Sequence, residues 1–152
     1  MFAIKIDKYG GPEVLKIEKI NLNKPEPNEV QIEHQAIGLN FIDTYHRSGS
    51  YPIELPSGMG GEGSGIIKEV GSKVKDFTVG DRVAYAGTPL GSYSTTRNYP
   101  IKNLVRVPNE ISLDIVATLM TKGLTTYYLL HKTYPVNASD IILFHAAAGG
   151  VG

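Results

Sequence analysis

The segment Ile141-Ile142-Leu143-Phe144, followed after His145 by Ala146-Ala147-Ala148-Gly149-Gly150-Val151-Gly152, reads as a short apolar strand entering an A-x-x-G-x-x-G turn. Such a strand and turn normally lead into a helix, whose unpaired amides and positive dipole end receive the pyrophosphate of a dinucleotide. The expected fold therefore contains the start of a nucleotide domain. Gly152 stands in mid-motif, with the receiving helix expected beyond it, so this chain alone is not expected to perform the chemistry that the motif announces. Taken singly, three small residues after an apolar strand also serve simple tight packing. The meaning of the turn depends on what precedes it.

Working back from that strand, Asn137-Ala138-Ser139-Asp140 reads as a turn and Leu124 to His131 as a helical stretch. Before these, Leu113, Val116, Ala117 and Met120 recur at helical spacing behind Ser112, a capping residue, with Asp114 in the first turn. Ahead of Pro108 the period changes. Gly and Pro punctuate the chain about every ten positions and separate short β-rich runs: Phe2 to Ile6, Leu15 to Ile20, Val30 to Glu33, Gly65 to Val70 and Arg82 to Tyr85. That spacing predicts a barrel or sandwich. The order expected is a mostly β unit over residues 1–120, then a helical connection and the opening of a nucleotide domain over 121–152. No internal repeat or low-complexity tract interrupts it.

Composition narrows the function. The 152 residues suffice for one ordinary core, and fifteen Lys and Arg balance fifteen Asp and Glu, so neither size nor charge points to a polyanion and no nucleic-acid partner is expected. No apolar stretch approaches the roughly 20 residues of a membrane span, and the amino terminus lacks a signal-peptide layout, so no membrane partner is expected and a cytoplasmic location follows by default. Cysteine is absent, which removes disulfides, thiol nucleophiles and thiolate metal sites together. The four histidines, at 34, 46, 131 and 145, lack the close pairing of a metal helix and are expected at the surface or in packing.

Several spaced motifs in one order now carry a resemblance. Gly10 to Leu15, Asn40 to Tyr45, Arg47-Ser48-Gly49, Glu62 to Gly65, Val79 to Val83, Lys122 to Tyr128 and His145 to Gly152 together resemble the amino-terminal half of the zinc-free, zeta-crystallin-like quinone oxidoreductases of the medium-chain dehydrogenase/reductase superfamily. The resemblance implies a fold that is mostly β with some α, a GroES-like partly open β-barrel followed by the first strand and glycine turn of a Rossmann domain. The zinc-dependent relatives carry a histidine where Gly61 stands and a catalytic cysteine in the segment matching Gly38 to Asp43, and they insert a four-cysteine lobe after Arg82-Val83. With those ligands gone, no metal site is expected.

A carbonyl substrate needs a Lewis acid to stabilise its alkoxide, whereas a quinone gains aromaticity on reduction and asks the protein chiefly for alignment and a dry slot. The resemblance implies NADPH as cofactor and a small soluble quinone as acceptor. It places Asn40, Tyr45 and Thr125 around the nicotinamide and Ala148, Gly149, Gly150 and Val151 at the phosphates. Asn40, Tyr51 and Thr125 are the residues assigned to the reaction, with Tyr51 in the quinone slot. More local roles stand beside these: Asn40 and Asp43 as turn caps, Tyr51 before Pro52 as a loop anchor, and Glu62 with Lys122 as a structural ion pair. Related zinc-free reductases act on enones and other activated alkenes, the second reading. A non-catalytic remnant, or an interaction module with a barrel fold and no competent cofactor site, is the third, and a separately encoded carboxy-terminal half is a candidate partner. Full-length relatives are expected to be homodimers. The isolated polypeptide is expected to be poorly soluble and to show no measurable NADPH affinity.

Overall fold

The computed structural model describes all 152 residues. Eight strands and two helices follow one another as β1 (Phe2–Ile6), β2 (Lys16–Lys19), β3 (Glu29–Ile37), α1 (Phe41–Ser48), β4 (Ser57–Gly58), β5 (Glu62–Val70), β6 (Arg82–Ala86), β7 (Thr96–Pro100), β8 (Leu104–Arg106) and α2 (Leu113–Tyr127). Every strand pairing is antiparallel, in the orders β2-β1-β4 and β7-β3-β5-β6-β8. The partly open barrel expected from the motifs is thus two open sheets, joined by a bridge between Ala3 and Ser94.

Alternation explains the larger sheet. Val30 and Ile32 of β3, Ile67 of β5, Val83 and Tyr85 of β6, Tyr99 of β7 and Leu104 of β8 all point to one face and form the main core. A smaller cluster of Ile6, Val14 and Met59 anchors the three-stranded sheet. Helix α2 begins where the sequence signals it, with Ser112 Oγ accepting from the Ile115 amide at 3.3 Å, and packs Val116 against Ala84 and Val107.

Two expectations are corrected. The helical stretch assigned to Leu124 through His131 is not a second helix: α2 runs through Gly123 and continues as a π-helical segment over Tyr128–Thr133. A lone glycine weakens a helix by only about 1 kcal/mol, too little to break one held by flanking packing. Residues 141–144 form no strand, and Ile141 and Leu143 are almost fully exposed. A strand exists only through a neighbour, and none of the eight formed strands lies alongside this run.

Candidate active site

Asn40 ends the loop after β3 and caps α1. Its backbone N–H donates to Asp43 Oδ2 at 2.9 Å, while the Asp43 N–H donates back to the Asn40 carbonyl at 3.0 Å, so the turn-capping role is real. Its side chain has a second task. Nδ2 donates to Glu62 Oε2 at 2.6 Å, which fixes the amide with its oxygen end turned away from the carboxylate.

Glu62 opens β5 and is fully buried. Its other oxygen accepts the backbone N–H of Thr121 in α2 at 2.7 Å. One carboxylate thus ties the cap of α1 to the middle of α2, and both of its oxygens are satisfied, as burial demands. The chain closes tightly around it, since a Cβ at Gly38 would overlap both Glu62 Oε2 and the Ala117 carbonyl oxygen. Asp43 is buried as well and accepts the Tyr93 hydroxyl at 2.7 Å. Burial, reinforced by that bond to the Asp43 carboxylate, pushes the Tyr93 hydroxyl well above its ordinary pKa, so it stays a donor.

The ion pair offered as a local role for Glu62 and Lys122, beside a catalytic one, does not form. Lys122 Nζ instead donates to the Leu39 carbonyl at 3.1 Å, and no salt bridge in the chain includes it. The glycine that lets the chain close on the buried carboxylate is Gly38, which stands two residues before Asn40.

The outer face of α1 carries aromatic rings. Phe41 and Tyr45 meet edge to face at 5.3 Å between centroids, and Tyr45 and Tyr51 lie 5.1 Å apart. The Tyr51 amide donates to the Tyr45 carbonyl, which places the loop residue against the helix. Tyr51 is 53% and Tyr45 38% exposed, so the rings face solvent rather than fill the core. Thr125 sits one helical turn beyond the Glu62 anchor, its hydroxyl donating to the Thr121 carbonyl at 2.6 Å. Ala148, Gly149 and Gly150 are exposed and Val151 half-buried, in a turn pinned to α2 by the Thr126 hydroxyl donating to the Val151 carbonyl at 3.4 Å.

The structure therefore joins Asn40 to the Thr121–Thr125 turn through Glu62, joins Tyr45 to Tyr51, and sets the glycine turn against α2. A groove of about 800 Å³ between the two sheets, lined by Phe2, Ile4, Ile17, His34 and Ile37 among others, contains none of these residues. No three side chains of metal-ligating type converge anywhere in the chain. No helix is long and apolar enough to cross a membrane.

Comparison with known proteins places this geometry among relatives. Residues 26–109, more than half of the chain, match the family model described as the alcohol dehydrogenase GroES-like domain. A quinone oxidoreductase of Pseudomonas aeruginosa is 53% identical over 98% of this chain and 46% of its own length. A 2-haloacrylate reductase of a Burkholderia species is 46% identical over the whole chain and 47% of its own length. The crystal structure of Escherichia coli quinone oxidoreductase complexed with NADPH superposes with a TM-score of 0.97 at 50% identity, covering 100% of this chain and 47% of that one. The chain spans about half the length of the curated relatives it matches.

Proposed function

Because the chain belongs to the alcohol dehydrogenase GroES-like domain family, we propose that it supplies the acceptor-facing half of an NADPH-dependent quinone reductase. The observation that carries this reading is the junction at Glu62. It holds Asn40 in one orientation between an exposed aromatic face and the helix that leads to the glycine turn. Bound NADPH would supply the hydride. The exposed rings of Tyr45 and Tyr51 offer a flat acceptor a stacking wall, with phenolic donors for an oxygen that gains charge as the ring becomes aromatic. Asn40, its amide nitrogen committed to Glu62, presents its carbonyl oxygen to the N–H groups of a carboxamide. Thr125 lines the same side of α2, and Ala148 to Val151 take the phosphates on backbone amides. Such a site needs alignment and exclusion of water more than a Lewis acid, which suits a quinone.

On this reading residues 1–120 form the GroES-like acceptor unit and 121–152 the connection into the nucleotide domain. A further carboxy-terminal half, joined to this chain or encoded separately, completes the cleft in a cytoplasmic homodimer. The match to a 2-haloacrylate reductase favours a second acceptor class, activated alkenes, served by the same hydride geometry. Pocket shape, rather than any one motif, separates the two. In protein carrying both halves, Asn40→Ala and Tyr45→Ala are expected to weaken NADPH binding or slow quinone turnover. Parallel assays of quinones and enones by NADPH oxidation then assign the acceptor. Unaltered steady-state kinetics in both variants would remove these residues from the site.

A further inference from the structure

We propose that Lys122 is an anion-binding residue of the cofactor site, its ammonium completing the glycine turn as the receptor for the dinucleotide's pyrophosphate. The inference rests on the cofactor reading above and adds to it a side chain that the glycine motif does not contain.

Lys122 is a cation without a counter-ion. No carboxylate lies within ion-pair distance, because Glu62 is consumed by Asn40 and Thr121, and the one partner of Nζ is the neutral carbonyl of Leu39. The Lys122 stem runs along the turn: a Cβ at Gly150 would lie 2.8 Å from Lys122 Cε. Glycine at 150 therefore gives the lysine its path, and the ammonium stands one bond beyond that contact. The turn itself is short of acceptors. Gly149 donates to the Ala146 carbonyl at 2.8 Å, while the amides of Ala147, Ala148, Gly150, Val151 and Gly152 donate to no backbone or side-chain oxygen. Ala146 adopts the left-handed conformation at φ 55°.

Unpaired amides beside an uncompensated ammonium make a donor set with net positive charge, the complement of two linked phosphates. Leu39, which precedes Asn40, holds the other end of this arrangement. The Lys122 ammonium accordingly lies between the loop assigned to the nicotinamide and the turn assigned to the phosphates. A merely structural lysine would need only the Leu39 carbonyl and would be indifferent to the ligand's charge.

The test uses protein in which this chain continues after Gly152 into the carboxy-terminal half that the Escherichia coli relative carries. Affinities for NADPH and for ADP-ribose, which has the pyrophosphate but no nicotinamide, are measured by calorimetry across a range of salt. Lys122→Met is expected to weaken both ligands about tenfold and to flatten the salt dependence, as loss of one charge-assisted contact would. Lys122→Arg is expected to stay within about threefold of the parent, since it keeps the charge. Unchanged ADP-ribose affinity and salt dependence in Lys122→Met would overturn the inference and leave the cofactor reading intact. A parent protein that binds no NADPH would overturn the cofactor reading, and the role of Lys122 with it.

Discussion

Replacing Glu62 tests the junction on which the site is built, and two substitutions give distinct outcomes. Glu62→Ala leaves the Thr121 N–H and the Asn40 amide as donors in a place closed to water, since the carboxylate is fully buried and accepts them at 2.7 and 2.6 Å. Hydrogen bonds to a charged acceptor are worth about 1.5–3 kcal/mol each, so the loss of two should reach about 3–6 kcal/mol, a large share of the stability of a domain this size. Glu62→Gln offers an escape. If the glutamine oxygen keeps Thr121, its NH2 group faces Asn40, whose amide must then rotate to present Oδ1 in place of Nδ2. Two donors remain satisfied, and the cost should fall to about 1–2 kcal/mol, the difference between charged and neutral acceptors. The Asn40 amide would now turn its nitrogen outward, which reverses what the side chain offers a cofactor carboxamide. Urea unfolding followed by circular dichroism measures the two stabilities, and the Asn40 side-chain NH2 resonances report the rotation. A Glu62→Ala variant within about 1 kcal/mol of the parent would refute the reasoning, because no buried donor pair could then depend on that carboxylate.

Two further outcomes are expected. His34 is held neutral, with Nδ1–H donating to the Ser94 carbonyl at 2.6 Å and Nε2 accepting the Tyr85 hydroxyl at 2.7 Å; burial, with the Arg97 charge adding to it, lowers its pKa from 6.5 to about 4 against the opposing pull of the Ser94 bond. Since the unfolded chain takes up this proton first, stability is complete above about pH 6.5, declines by about 3 kcal/mol down to about pH 4 and is flat below. Urea midpoints across that range in the parent and in His34→Gln check it, and an equally steep loss in the variant would show that another group is responsible. Gly38→Ala should cost about 2–4 kcal/mol, because its Cβ must displace either the Ala117 carbonyl or the Glu62 carboxylate; thermal melting with no shift would contradict the close approach.

Much of the β architecture was legible because its strands obey the period of two. The runs at Phe2, Leu15, Val30, Gly65 and Arg82 each became a strand, with boundaries moved by a few residues. Strand β7 escaped notice because its buried positions are Thr96, Arg97 and Tyr99, and two of those three are polar. Arg97 is admitted to the interior by stacking over the Tyr85 and Tyr99 rings and donating to the carbonyls of Pro89 and Leu90, none of which a hydropathy pattern records. Helix α1 was read only as a capped turn, since its apolar side chains Phe41, Ile42 and Tyr45 face outward rather than into a core. The same outward face marks it as part of a site. Glu62 could be singled out from its motif, yet its partners come from residues 22 and 59 positions away and become visible only when the sheets are assembled.

Strand β5 grips α2 at two points: Ser64 Oγ donates to the Leu113 carbonyl at 2.7 Å, and Glu62 accepts the Thr121 N–H. These lie eight residues apart, about 12 Å along the helix axis. A rod clamped at two stations cannot pivot about either one. Torque delivered at its carboxy-terminal end is therefore carried into the strand and on to Asn40, so that the helix acts as a lever rather than a tether.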